Sequence, residues 1–235
     1  MLGLVLAAQV AAQTGEQRRI ARQLEKAFAG AGSELVEENQ YFRVVREQVA
    51  VTTAIDVHQH GRDTVIVMLG EGLALSARRV DTVNLKDGEA RFLPVGNPPH
   101  LVNSGGGTVA VLIVELKQHW DAEMRVCSEP AKCTRPIRMG EYSIGETTSL
   151  FTNGFVTAYR HRLERGGTLS SSYFSTKGKD HLLLIALTDL HVSFDGNDET
   201  LKAGQAYASE ATGIDVDAAT APVRWVVIRV ETPKT

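Results

Sequence analysis

The sequence has 235 residues, of which 43% are hydrophobic and 23% charged, and its formal net charge is -3 at pH 7. A chain of this length buries a large core, either as one domain or as two fused half-size units. Lys and Arg are scattered and aromatic residues make up 6%, which argues against nucleic-acid binding. No apolar run reaches the roughly 18 residues that span a bilayer, so no membrane span is expected.

The N-terminal stretch, residues 1–12 with the sequence MLGLVLAAQVAA, is short and apolar and ends in two small residues. This pattern is typical of a signal peptide, although no basic residue precedes the apolar run. It predicts a periplasmic or secreted protein. The alternative is an ordinary helix that continues into the next segment of a cytoplasmic protein.

Residues 13–34 are predicted to contain a short amphipathic helix and a linker. Ile20, Leu24 and Phe28 recur at helical spacing among charged residues, and the stretch AGAGS at residues 29–33 ends the pattern. From Tyr41 onward, short apolar or alternating runs are separated by turn sequences such as KDGE and NSGGG. Many short strands without an intervening helical pattern predict an all-β barrel or sandwich.

The second half of the chain resembles the first. The sequence GRD at 61–63 recurs as GKD at 178–180, Gly88 recurs as Gly204, and TVAVLIVEL recurs as PVRWVVIRV. All three offsets lie near 116 residues, so the chain is predicted to contain a duplicated β unit. The predicted limits are residues 35–117 for the first repeat, 118–150 for a linker and 151–235 for the second repeat.

The predicted linker contains both cysteines of the chain, Cys127 and Cys133, which bracket the short stretch SEPAK. A small polar loop closed by two cysteines indicates a disulfide in an oxidising compartment. A zinc site is a weaker interpretation, because the spacing is not CxxC and no histidine lies beside the pair. Two free thiols in a reduced protein are the remaining alternative.

Two stretches of the first repeat carry candidate metal ligands. His58 and His60 stand two residues apart, so on a strand both imidazoles project from one face. Imidazole binds Fe, Zn, Ni, Cu and Mn, although an isolated pair is often only a pair of surface residues. His100 follows the rigid turn PVGNPP, with Asn103 just beyond it. A histidine after such a turn favours a third ligand.

These stretches resemble the two sequence motifs of the cupin superfamily. The positions that match the first motif are His58, His60, Asp63 and Gly70, and those that match the second are Gly88, Pro94, Gly96, His100 and Asn103. The chain departs from the motifs in three ways: Asp63 stands in place of Glu and close to His60, no glycine opens the first motif, and one extra residue precedes His100. The resemblance implies an all-β chain of two tandem double-stranded β-helix (jelly-roll) barrels, a bicupin.

The ligand set that the resemblance implies is His58, His60 and His100, with Asp63 as a candidate fourth ligand. In the second repeat Ser175 and Lys177 replace the histidine pair, so that copy has lost the metal motif. Its Asp180 nevertheless matches Asp63, which favours a role in the turn for both aspartates. His119, His161, His181 and His191 have no partner at ligand spacing, and the sequence gives them no role.

The function that this resemblance implies is that of a metal-binding cupin, such as an Fe(II)-type dioxygenase or a related enzyme that acts on a small organic molecule. The cofactor would be a divalent ion such as Fe, Mn, Zn or Ni, and no general acid or base can be named. The alternative is a non-catalytic bicupin that binds a small ligand or is structural, with an optional or vestigial metal site. A homodimer is compatible with either interpretation.

Overall fold

The computed structural model describes residues 33–51, 54–56, 62–70, 73–77, 81–95, 100–103, 106–118, 125–127, 129–170, 181–194, 197–209 and 214–231. The predicted signal peptide and N-terminal helix lie outside these ranges, as do His58, His60 and His119. Within them, no helix is long and apolar enough to cross a membrane.

The first half of the chain forms nine strands within the described residues. They are β1 (Glu34–Glu38), β2 (Phe42–Val49), β3 (Ala54–Asp56), β4 (Thr64–Leu69), β5 (Leu73–Ala77), β6 (Asp81–Leu85), β7 (Ala90–Leu93), β8 (His100–Asn103) and β9 (Val109–Leu116).

The second half forms eleven further described strands and one helical turn. They are β10 (Arg125–Val126), α1 (Pro130–Cys133), β11 (Thr134–Met139), β12 (Tyr142–Thr152), β13 (Val156–Leu163), β14 (Thr168–Leu169), β15 (His181–Ala186), β16 (Leu190–Phe194), β17 (Asn197–Leu201), β18 (Ala206–Ser209), β19 (Ile214–Asp217) and β20 (Val223–Val230).

Each half builds one large and one small antiparallel sheet with the same strand order. The first half has β1-β2-β9-β4-β7 and β3-β8-β5-β6, and the second has β12-β13-β20-β15-β18 and β14-β19-β16-β17. In the second half, β10 and β11 extend the large sheet beyond β12. The prediction of an all-β jelly-roll fold is therefore confirmed. The predicted limit between the linker and the second repeat, at residue 150, falls inside β12.

Among the described residues, the largest hydrophobic cluster lies between the two large sheets. Val65 and Val67 on β4, and Leu112 on β9, share one buried cluster with Leu183 on β15 and Ile228 on β20. All five side chains are fully buried. The two jelly rolls thus pack back to back through their large sheets.

The alternate residues of the same strands point into the interior of each jelly roll. Ile66 and Met68 of β4 belong to a cluster inside the first unit, and Leu182 and Leu184 of β15 belong to one inside the second. Both faces of these strands are therefore buried, which explains why their sequences are continuously apolar rather than alternating.

Two glycine turns join the halves in a symmetric manner. Gly88 and Gly204 precede β7 and β18 and adopt positive φ angles of 71° and 81°. Gly88 packs against Arg160 on β13, and Gly204 packs against Arg46 on β2. Both arginines occupy the fifth position of eight-residue strands, and Arg46 donates a hydrogen bond to the Gly204 carbonyl. The halves are thus related by an approximate twofold axis.

Among the described main strands of the second unit, two titratable residues are buried: His181 of β15, which stacks on Tyr41 of the first half, and His161 of β13, inside the unit. The ring of His161 stacks on that of Trp225, with 5.0 Å between the ring centroids, and its Nδ1 lies 2.9 Å from the Thr147 hydroxyl. Burial lowers the pKa of His161 from its ordinary value of 6.5 to about 3. The imidazole is therefore neutral at physiological pH.

Replacing Gly204 by alanine is expected to lower the free energy of unfolding by about 2 kcal/mol, because a left-handed conformation costs a non-glycine residue roughly 1–2 kcal/mol and the new methyl group also meets the opposite half. The added Cβ would lie 2.8 Å from Nη2 of Arg46 and 3.1 Å from Cδ1 of Leu69. Urea unfolding measures the change. Gly166→Ala is the matched control, since Gly166 has a φ of 80° and open space around it. Equal losses in the two variants would contradict the contact between the halves.

The depressed pKa of His161 predicts that the protein loses stability as the pH falls from 6.5 towards 3, since the unfolded chain then binds a proton that the folded chain does not. Between pH 7 and pH 5 this loss amounts to about 2 kcal/mol, at about 1.4 kcal/mol per pH unit below the ordinary value. Urea unfolding at both pH values should show a smaller loss for His161→Gln than for the wild type. His191→Gln, on an exposed residue, should behave as the wild type, and a His161→Gln variant with the wild-type pH dependence would refute the assignment.

Candidate functional site

Of the three predicted histidine ligands, the structure describes the backbone of His100, which lies in the small sheet of the first unit. His58 and His60 lie outside the described residues, and His100 is the first residue of β8. Strand β8 pairs with β3, and the register sets His100 opposite Asp56, the last residue of β3. Strand β3 therefore ends at the position that is paired with His100, and His58 follows two residues later in the sequence.

Asp63 is almost fully buried, at 2% exposure, immediately before β4. Its Oδ1 accepts a hydrogen bond of 2.9 Å from the backbone N–H of Val95, inside the turn that leads to His100. Its own carbonyl accepts a bond of 2.8 Å from the N–H of Leu116. Asp63 thus connects the first motif, through this hydrogen bond, to the turn of the second motif.

Asn103, the last matching residue of the second motif, is also buried. Its side-chain amide donates to the carbonyl of Val49 at 2.7 Å and to that of Gly107 at 2.8 Å. These bonds fix the turn after β8 against the end of β2. Among the described residues, no group of three His, Cys, Asp or Glu side chains could hold a metal ion.

Two carboxylates inside the first unit were not identified by the sequence motifs. Glu47 on β2 and Glu115 on β9 are 5% and 4% exposed. Glu47 lies two residues before Val49, and Glu115 lies two residues after Ile113, and both of these apolar residues belong to the interior cluster. Residues two apart on a strand project from the same face, so both carboxylates point into this interior. Arg43 lies directly opposite Glu115 in the register of β2 and β9. Buried carboxylates need such compensation, because desolvation of an isolated charge is costly.

The second unit contains a pocket of about 530 Å³ that sequence reasoning missed. Its floor is formed by nearly buried side chains, including Leu182, Val227 and His161. Half-buried Ser149 and Tyr159 form a wall. His161, to which the sequence assigned no role, is therefore part of a cavity rather than of the protein surface.

The rim of this pocket is basic. Lys132, Arg135 and Arg229 line it, and no Asp or Glu is among the described residues that do. Lys132 pairs with Glu129 at 2.7 Å and Arg229 with Glu231 at 3.1 Å.

Part of the rim comes from the segment predicted to be a linker. Cys127 and Cys133 are bonded as a disulfide, with their Cα atoms 6.3 Å apart, and Cys133 itself lines the pocket. The disulfide joins the end of α1 to the residue that follows β10, and β10 is hydrogen-bonded to β12. The cysteine pair thus attaches the rim to the large sheet.

No family model and no curated protein matches the sequence. Solved structures with a similar fold include AerE from Microcystis aeruginosa, with a TM-score of 0.61 at 11% identity over 86% of this chain and 98% of that chain. A cupin 2 conserved barrel domain protein from Leptotrichia buccalis gives 0.55 at 10% identity, over 86% and 90% of the two chains. Salicylate 1,2-dioxygenase from Pseudaminobacter salicylatoxidans gives 0.60 at 9% identity, over 91% and 80%.

At identities this low, similarity of structure is evidence for the fold and for nothing finer. Together with the two jelly rolls and the strand order that they share, these likenesses show that the chain has the fold of cupin-domain proteins.

Proposed function

We propose that this chain is a metal-binding protein of the cupin fold that acts on a small organic molecule. His58, His60 and His100 would hold a divalent ion inside the first unit. The observation that carries the proposal is the pairing of β3 with β8, because it faces His100 with the strand end that leads into the histidine pair.

The alternation of side chains along a strand supports this ligand set. Residues directly opposite one another in an antiparallel pair share a face of the sheet, as do residues two apart on one strand. Asp56 is opposite His100, and His58 and His60 follow Asp56 by two and four residues in the sequence. Three imidazoles are a suitable donor set for Fe, Mn, Zn or Ni.

Other residues of the first unit favour a cation in its interior. Glu47 and Glu115 place two carboxylates on the interior face of β2 and β9, against one cation, Arg43, on the same face, and this excess of negative charge would attract a divalent ion. Asp63, whose Oδ1 holds the Val95 N–H, fixes the turn before His100, so we assign it a positioning role rather than that of a fourth ligand. A bound ion of this kind would act as a Lewis acid and orient a chelating substrate or dioxygen.

The finer proposal is a dioxygenase-like reaction. One protein of similar fold is a salicylate 1,2-dioxygenase, and this supports testing oxygen chemistry first. Oxygen uptake by metal-loaded protein against catechols, hydroxybenzoates and diketones tests it. An oxygen electrode that shows no substrate-dependent uptake with any of these compounds would reject the dioxygenase and leave the metal site unaffected.

A second candidate is a binding protein without catalysis. The pocket of the second unit favours it, because this pocket lies in the repeat that lacks the histidine pair and is nevertheless large enough for a small ligand. Ligand binding that persists in metal-free protein, without turnover in the metal-loaded form, would distinguish this candidate from the enzyme.

Purified protein is expected to contain close to one divalent ion per chain after incubation with Fe, Mn, Zn or Ni, as measured by elemental analysis. Single replacement of His58, His60 or His100 by alanine should each reduce the metal affinity at least about tenfold, since each removes one of three ligands. His191→Ala, a change at an exposed residue of the second unit, is the control. Full metal occupancy in all three ligand variants would refute the site.

Asp63→Ala should behave differently from the histidine variants. It removes the carboxylate that accepts the partly buried hydrogen bond from the Val95 N–H, so the free energy of unfolding should fall by about 1–3 kcal/mol. Because the three imidazoles remain, the saturating metal content should stay at the wild-type level in protein that is folded by circular dichroism. Loss of metal with unchanged stability would instead make Asp63 a ligand.

A further inference from the structure

We propose that the pocket of the second unit binds a small organic anion, with its apolar body on the pocket floor and its carboxylate at the basic rim. This site is separate from the proposed metal site and requires none of its residues. It would give the second repeat a function of its own, although this repeat has lost the histidine motif.

The floor of the pocket selects for an uncharged, apolar group. Leu182 and Val227 present hydrocarbon, and both side chains are 3% exposed. His161 beside them stays neutral because burial depresses its pKa. A volume of about 530 Å³ is in the usual range for small-molecule sites, which is about 300–1,000 Å³. An inorganic ion alone would leave most of this space unfilled.

The rim selects for negative charge. Its three described cations are Lys132, Arg135 and Arg229, of which Arg135 forms no ion pair with another described residue. Guanidinium groups bind carboxylates through two parallel hydrogen bonds, which are stronger than bonds between neutral groups. Since Lys132 and Arg229 are paired with Glu129 and Glu231, Arg135 is the rim cation to which we assign the carboxylate of the ligand.

The wall of the pocket supplies neutral hydrogen-bonding groups between the floor and the rim. Ser149 on β12 lies directly opposite Tyr159 on β13, so both hydroxyls project from the same face. Thr147 lies opposite His161 in the same register, and its hydroxyl is within hydrogen-bond distance of the imidazole. The pocket therefore has apolar and neutral polar groups in its buried part and cations in its exposed part, which matches a ligand with one uncharged and one anionic end.

The direct test uses 4-(trifluoromethyl)benzoate and its neutral amide, 4-(trifluoromethyl)benzamide, as matched probes. Fluorine NMR titration of the full chain is expected to show saturable binding of the benzoate, with the amide weaker by about tenfold or more, since a charge-assisted hydrogen bond is stronger than one between neutral groups. Equal affinities for the two probes, or no saturable binding of the benzoate, would overturn the proposal.

Variants locate the binding. Arg135→Gln, at an exposed residue of β11, should weaken benzoate binding about tenfold, with a smaller effect on the amide. Arg138→Gln is the matched control, because Arg138 is exposed on the same strand but does not line the pocket. An equal loss of affinity in both variants would mean a general effect of net charge and would reject the site.

A further variant changes the volume of the pocket rather than its charge. Ser149→Trp would place a large side chain in the pocket. It should abolish binding of both probes while the circular dichroism spectrum remains that of the wild type. All titrations are repeated after removal of metal with EDTA and in the His58→Ala variant. Benzoate binding that disappears with the metal would assign the anion to the first unit and overturn the proposal, whereas a failed metal site would leave this binding unchanged.

Discussion

The packing of the two large sheets against each other determines most of this structure. Strands β4, β9, β15 and β20 are central strands of these sheets, and their side chains are buried on both faces. One face belongs to the shared core between the units and the other to the interior of its own unit. Apolar burial of this extent stabilises by roughly 25 cal/mol for each Å², so these strands cannot shift register without losing two cores together.

That constraint also decides where polar chemistry can lie. Since the backs of the large sheets are sealed, polar side chains on the main strands either reach across to the other half, as Arg46 does, or point into a jelly-roll interior. Glu47 and His161 point into the interiors of their jelly rolls. Both occupy the sixth position of an eight-residue strand, and these two strands, β2 and β13, hold the same place in the two sheet orders. One interior thus carries a buried acid where the other carries a neutral imidazole.

The sequence predicted the fold well because the fold rests on patterns that repeat along the chain. Short apolar runs separated by turns, and three matches at one offset, were enough to predict an all-β chain with a duplicated unit. Glu47 points into the first unit, and its neighbour Arg46 lies on the opposite face of β2. These two directions could not be predicted, since a shift of one residue in register would exchange them. The pocket at His161 was not predicted, because its lining combines Lys132 and Arg135 of the predicted linker with residues that lie far away in the sequence, such as Arg229. The predicted linker had no sequence signal for that role. The predicted placement of His58 and His60 remains a prediction.

The symmetric contact between the halves bears on how such a chain arises. A single copy of this unit would expose the apolar back of its large sheet, and the simplest way to cover it is a second copy related by a twofold axis. The contacts of Arg46 with Gly204 and of Arg160 with Gly88 have the reciprocal form expected of such a dimer. Fusion of the two copies into one chain removes the requirement that they be identical. Thereafter each interior can diverge independently, while selection on the shared core preserves the pairing of the two large sheets.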